Sequence, residues 1–234
     1  MCRVRDNDSR KLRDVFEEAV AGRQLLTHPY YVRWQEGGLC TAELSDYAQQ
    51  YRHFERCLPE VLRGLADQLD DGGPRRLIEE NLRDECSRPL PHAELFEGFA
   101  AAVNAAALGE ATPATDSLVR LYERSSSGAV GTLCVIGAYE LQASEIARTK
   151  SVALRRHYGV EAKGTRFWDV HAEMEQSHAG WTLGALEALG ASADAVLHFA
   201  GESSAAWWAF LDERDTLEVG WNGSARTENR VVSS

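Results

Sequence analysis

Residues 128–159 read "GAVGTLCVIGAYELQASEIARTKSVALRRHYG", and the fold turns on how this stretch is understood. It is apolar all round through "GTLCVIGAY" and ends at Gly159 behind a basic turn that holds His157, where a cation suits the negative end of a helix. A long helix with no polar face at its start belongs in the middle of a protein, covered by other elements. Glu140 stands where that pattern would place a core residue. Burying an unpaired carboxylate costs several kcal/mol, so Glu140 either turns to solvent or has a partner, a proton or a metal.

The segments around this helix repeat its period. "SRKLRDVFEEAVAGRQLL" opens on Ser9 as an N-cap and lines up Leu12, Val15, Phe16, Val20 and Leu25. "HPYYVRWQEG" is a short helix with Pro29 in its first turn, His28 as cap and Gly37 at its end. "TAELSDYAQQYRHFERCLPEVLRGLADQL" starts from a Thr41 cap, carries Glu43 and Glu55 on exposed faces, and passes through Pro59, where a kink is expected. After the loop "DDGGP", helices are expected over 74–86, from His92 through "AAAL", and over 115–126. "TRFWDVHAEMEQSHAGWTLGALEALG" and "SADAVLHFAGESSAAWWAFLDER" complete the set, and no stretch alternates as a strand does. The expectation is an all-α bundle of seven to nine helices forming one domain over 1–214, with 215–234 a mobile tail.

Composition bounds the partners. The 234 residues carry a net charge of −11, with 44% hydrophobic and 26% charged residues, values ordinary for a soluble globular domain. That acidity argues against a nucleic-acid backbone as ligand. Lysine occurs only at 11, 150 and 163. Cys2, Cys40, Cys57, Cys86 and Cys134 form no C-x-x-C pair and are odd in number, which suits free thiols in the cytoplasm. A polar N-terminus and the lack of a long apolar run point away from export and from a membrane.

The chemistry gathers in "FWDVHAEMEQSHAG", residues 167–180. At about 100° per residue, His171, Glu175 and His178 fall within an arc of roughly 60° on one helix. Glu175 and His178 form a Glu-x-x-His pair, the spacing by which helical bundles present a carboxylate and an imidazole to one metal. Such mixed oxygen and nitrogen donors suit iron or manganese. Glu140 is a second source of donors. The turn "NLRDECSRPLPHAELF" is a third, holding Glu85 near His92, although Glu79 and Asp84 there read equally well as surface charge. The remaining histidines, His28, His53, His157 and His198, read as caps or surface groups. Trp34, Tyr51, Trp168, Trp181, Trp207 and Trp208 read as core or interface, with Tyr51 and Trp168 also readable as pocket walls.

The blocks "LLTHPYYVRWQEGGL", "YAQQYRHFERCLPEVL", "ENLRDECSRPLPHAELFEGF", "IGAYELQASEIARTK" and "FWDVHAEMEQSHAG" resemble, in order and spacing, those of the haem-oxygenase-like dimetal oxidases, relatives of the thiaminase and pyrroloquinoline-quinone-synthase folds. The likeness runs from about residue 25 to 185. It implies a haem-oxygenase-like fold with two Fe(II) ions per chain held by Glu85, His92, Glu140, His171, Glu175 and His178, with O2 as cosubstrate and an external reductant. Glu175 departs from the aspartate of the family block by one methylene and can still reach a metal through one or both oxygens. Lys150 falls on the family's E-I-A-x-x-K pattern, and some relatives that cut their own tyrosine to make an aminobenzoate use a lysine there.

The main reading that follows is oxidation of a small aliphatic amino acid by C–H abstraction, giving desaturation, fragmentation or an azetidine ring in secondary metabolism. Arg52, Arg148 or Lys150 would anchor the substrate carboxylate. The alternatives are the self-sacrificing aminobenzoate-forming oxygenase, a metal-free thiaminase-like hydrolase using Cys134, and a non-catalytic metal-binding bundle. Dimers are common in this fold, so a homodimer is expected.

Overall fold

In the computed structural model, which describes residues 11–87, 89–124 and 128–225 and side chains as far as 216, every regular element is helical. The helices are α1 (Leu12–Ala19), α2 (Pro29–Glu36), α3 (Thr41–Gln68), α4 (Gly73–Ser87), α5 (His92–Ala102), α6 (Pro113–Glu123), α7 (Gly128–Tyr158), α8 (Ala162–Ala188) and α9 (Ala193–Ala225), with a single 3-10 turn at Leu25–Thr27. As its sequence requires, α7 is buried on all sides from Gly131 to Glu140. It lies between α8 and α9, while α8 also packs on α4 and α5 and α3 covers α4, α5 and α6. The donor-bearing helices α4, α5, α7 and α8 thus share one contact region, with α3 across its open side.

Local chemistry fixes the helix ends. The Tyr30 N–H donates to His28 Nδ1 at 3.1 Å, which caps α2, and Gly37 closes it at φ +76°. Cys40, rather than Thr41, is the N-cap of α3, and the Cys40 N–H donates to the Glu43 carboxylate at 2.7 Å. Glu43 also pairs with Arg33 at 2.6 Å. It is therefore a buried capping and pairing group and not the exposed charge that the periodicity suggests. Pro59 is carried inside α3 without interrupting it. α5 stops at Ala102, six residues short of the expected end. Asn104 there adopts φ +54° and the Ala105 N–H reaches back to the Ala100 carbonyl at 2.8 Å, a left-handed stop that asparagine tolerates.

At the other end of the chain α9 runs on to Ala225, well into the stretch read as a tail. Residues 226–234, the Ser9 cap, Cys2 and the expected helix end at 125–126 lie outside the described residues. Among the described residues no helix is long and apolar enough to cross a membrane.

Two glycines set how closely α5 and α8 approach. A Cβ on Gly164 would lie 2.5 Å from the Ala102 methyl, and one on Gly98 would lie 2.9 Å from the Lys163 carbonyl oxygen. Only hydrogen at these positions lets the helix that carries His92 pack directly on the helix that carries His171.

Candidate metal centre

Six side chains from four helices meet at this junction: Glu85 from α4, His92 from α5, Glu140 from α7, and His171, Glu175 and His178 from α8. All six are buried. Glu85 Oε2 lies 2.8 Å from His92 Nδ1, and Glu85 Oε1 lies 3.6 Å from His178 Nδ1. Glu175 repeats the pattern, with Oε1 3.9 Å from His171 Nε2 and Oε2 3.7 Å from His178 Nδ1. Each carboxylate therefore reaches from one imidazole to another, the disposition a bridging ligand needs. One donor atom each from Glu85, His92 and His171 fit within 4.8 Å of one another, close enough for a single ion.

Neighbouring groups hold these donors in place. His171 Nδ1 is 2.9 Å from the Phe167 carbonyl, which can only accept, so Nδ1 carries the proton and Nε2 presents its lone pair to the centre. Glu140 receives hydrogen bonds at both oxygens, from Asn81 at 2.7 Å and from the Thr182 hydroxyl at 2.5 Å. Asp84 Oδ2 lies 3.7 Å from His178 Nε2. Glu175 Oε2 and His178 Nε2 are buried without a hydrogen-bond partner. Buried polar atoms are rarely left so; a cation between the carboxylates accounts for the unsatisfied Glu175 oxygen, while His178 Nε2 faces Asp84 on the other edge of the ring.

The electrostatics agree. Burial raises the Glu140 pKa, opposed by His178, Thr182 and Asn81, and burial raises Glu175 well above the ordinary carboxylate range, helped by the charges of Glu140, Glu85 and Glu55. Burial also acts to raise Glu85, but the His92 hydrogen bond and the charges of three histidines outweigh it and bring Glu85 to about 2. His171 is lowered to about 3, chiefly by burial and then by His92. A neutral imidazole among carboxylates that cannot all hold charge unaided is a donor set that fits iron.

The space between these groups is small, about 10 Å3, and Glu55, Tyr51 and Tyr139 also line it. Glu55 corrects the sequence reading, which placed it on an exposed face; it is 4% exposed. The signal was present in the sequence, because Ala48, Tyr51, Glu55, Leu58 and Leu62 follow helical spacing and the other four are apolar or aromatic. Burial raises the Glu55 pKa well above the carboxylate range.

Beyond the cavity wall a row of phenols leads to Lys150. The Tyr51 and Tyr139 hydroxyls are 2.9 Å apart, and the Tyr47 ring stacks on Tyr51 at 5.4 Å. The Lys150 ammonium nitrogen donates to Tyr47 at 2.6 Å and to Tyr31 at 2.8 Å, and those two hydroxyls are 2.8 Å from each other. It also lies 4.2 Å from the Trp168 ring centre. Burial lowers the Lys150 pKa well below that of an ordinary lysine, with Glu55 opposing. The sequence reading singled out Lys150 but neither Tyr31 nor Tyr47.

Other expectations lie elsewhere. Arg52 is committed to Glu97 through two hydrogen bonds of 2.9 and 2.7 Å, and Arg148 is exposed and paired with Glu145, so neither reaches the central cavity. Cys134 is fully buried, burial pushes its thiol up to about 12, and it does not line the cavity. A thiol in that state packs and does not attack.

Comparison with known proteins points the same way. Residues 45–208 match the family described as iron-containing redox enzymes. The 4-aminobenzoate synthase of Chlamydia pneumoniae is 30% identical over 85% of this chain and 92% of its own length, and that of Nitrosomonas europaea is 29% identical over 71% and 75%. Among solved structures, a TenA homologue from Pseudomonas syringae pv. tomato superposes with TM-score 0.73 at 15% identity, covering 88% of this chain and 91% of its own. A domain with a haem oxygenase-like fold from Shewanella denitrificans gives 0.69 at 14% identity, covering 95% and 96%. These two establish the fold.

Proposed function

The chain belongs to the iron-containing redox enzyme family, and from that premise we propose that it forms 4-aminobenzoate by oxidising one of its own tyrosine side chains, with Lys150 as the source of nitrogen. The observation that carries this reading is Lys150 itself, a lysine 2% exposed whose hydrogen-bond partners are the hydroxyls of Tyr31 and Tyr47. A lysine kept only for stability would pair with a carboxylate. Desolvation instead holds this one toward the neutral amine, whose lone pair is a nucleophile.

The carbon skeletons agree. A tyrosine side chain is a six-carbon ring with Cβ para to oxygen, and 4-aminobenzoate is the same ring with a carboxylate carbon para to nitrogen. Breaking the Cα–Cβ bond, oxidising Cβ to a carboxylate and exchanging oxygen for nitrogen converts one into the other. Iron held by Glu85, His92, Glu140, His171, Glu175 and His178 would supply the means of reducing O2 and the oxidising power this conversion needs. Two-electron oxidation of the ring makes its oxygen-bearing carbon an electrophile; the Lys150 amine adds there and the oxygen leaves as water. The C=N bond so formed shifts to Lys150 Cε as the ring regains aromaticity, and water hydrolyses it, leaving the nitrogen on the ring and an aldehyde on Lys150.

Tyr31 is the ring we assign to this role. It accepts from Lys150, and its ring is the nearer of the two to the lysine nitrogen, 4.3 Å from the ring centre against 4.6 Å for Tyr47. Burial raises the pKa of both phenols, so the ring must lose its proton as it is oxidised. Tyr139 and Tyr51 connect the iron donors to this pair. A cavity of about 10 Å3 has room for roughly one water molecule, which favours a substrate already built into the wall over the free amino acid of the broader reading.

The test is isotopic. Protein made with ring-13C tyrosine and ε-15N lysine is loaded with Fe(II) without oxygen, then given O2 and a reductant. The released 4-aminobenzoate should carry both labels, and the peptide containing Tyr31 should lose its side-chain mass. Unlabelled product, or turnover of an added amino acid with the protein's mass unchanged, would overturn the proposal.

A further inference from the structure

The buried donors communicate with solvent through a groove between α7 and α8 that the reaction described above does not use. Its volume is about 440 Å3. Glu140 from α7 and Glu175 from α8 form its floor, and the same two residues line the central cavity. Each thus faces the outside on one side and the other donors on its inner side. The rim is made by Arg13 from α1, Glu145 and Arg148 from α7, and Gln176 from α8.

We propose that this groove is the port by which ferrous iron enters the centre; the proposal rests on the ligand assignment given above. A hydrated dication gives up its water only where oxygen donors replace it stepwise. The groove offers such a sequence, with Glu145 exposed at the rim and Glu140 and Glu175 at the floor. Glu175 is 4% exposed and its Oε2 is buried without a hydrogen-bond partner, so one oxygen is available at the point of transfer. Arg148 is neutralised by its ion pair with Glu145.

A second surface groove, of about 220 Å3, meets the central cavity at Tyr122. That hydroxyl accepts a hydrogen bond from Trp207 Nε1 at 3.0 Å, and burial pushes its pKa upward. A neutral, engaged phenol offers a dication little, so the α7–α8 groove is the better route.

Uptake of Fe(II) by the metal-free protein, followed by stopped-flow absorbance with final stoichiometry from elemental analysis, separates the two. Gln176 is exposed, so Gln176→Trp plugs the mouth without disturbing the core. It should slow uptake by about tenfold or more while the final stoichiometry stays that of the wild type. Arg13→Glu with Arg148→Glu should speed uptake by roughly tenfold at low salt, a gain lost at high salt. Gly64→Trp, which obstructs the other groove where a side chain meets no atom within 4 Å, should change nothing. Slowing by Gly64→Trp alone, or unchanged rates in all three variants, would overturn the port while wild-type stoichiometry upheld the ligands. A wild type that binds no iron would overturn both.

Discussion

Gly164→Ala tests whether the close approach of α5 and α8 builds the centre. The added Cβ would sit 2.5 Å from the Ala102 methyl and 2.6 Å from Val160 Cγ1, against about 3.5–4.0 Å for carbons in contact. The helices must therefore part by on the order of 1 Å. Overpacking of this kind costs about 1–3 kcal/mol, more than the helix propensity of alanine over glycine returns at the third residue of a helix. At roughly 2–4 °C per kcal/mol for a chain of this size, the melting temperature should fall by about 2–12 °C. His92 and His171 ride on the separated helices, so the stabilisation that saturating Fe(II) confers should shrink as well. Gly180→Ala is the control, since its Cβ meets nothing within 4 Å, and it should stabilise by up to ~1 kcal/mol. Thermal denaturation of both variants with and without Fe(II) decides the matter. If Gly164→Ala melted with or above Gly180→Ala and kept the full effect of iron, the packing argument would be wrong.

Three further outcomes follow from the same geometry. Thr182→Val removes the donor to Glu140 Oε2, and at about 1.5–3 kcal/mol for a hydrogen bond to a charged group the affinity for one ion should drop roughly 10- to 100-fold in a chelator-competition titration. Glu55, Glu140 and Glu175 have folded pKa values raised above the unfolded 4.5, first by burial, so the metal-free fold binds more protons than the unfolded chain and loses stability as pH rises through those values. Glu85 works in the opposite sense, its contribution being complete above about 4.5 and lost as pH falls toward about 2. His171, lowered to about 3 chiefly by burial, and Lys150, lowered by burial, act the other way, so a carboxylate is read by difference. In the chelated protein Glu175→Gln should gain stability relative to the wild type as pH rises from 5 to 8, and a constant gap between the two melting profiles would contradict this. Cys134→Ala should cost about 1 kcal/mol from lost packing and leave the yield of 4-aminobenzoate unchanged, where a nucleophilic role would abolish it.

Much of this site was legible because its donors obey helical spacing. His171, Glu175 and His178 share a stripe of α8, and the apolar run of α7 exposes Glu140 as an anomaly; both are local signals. What the sequence hid is what only tertiary packing creates. Lys150 lies 119 residues from Tyr31 and 103 from Tyr47, and nothing near either tyrosine announces a partner. Glu55 was passed over because a charged residue on a long helix is usually solvated, although its stripe on α3 was otherwise apolar. Arg52, read as a candidate anchor, is occupied by Glu97 from α5, a contact set by how α3 lies on α5. The early stop of α5 was missed because a run of alanines outweighs one asparagine in propensity, whereas the Ala105 to Ala100 hydrogen bond made around Asn104 decides the geometry.

Charge ties the iron donors to the lysine. Glu55, Glu85, Glu140 and Glu175 surround one small cavity, and unpaired carboxylates in such a place demand protons or cations. Bound cations would balance these carboxylates while the imidazoles stay neutral. Glu55 is the group whose charge raises the Lys150 pKa against the effect of burial. Burial holds Glu55 itself toward its neutral form, so desolvation dominates at Lys150, and cations among the neighbouring carboxylates would add to it by repelling a proton on the amine. Iron would then favour the nitrogen nucleophile as well as the oxidation of the ring beside it.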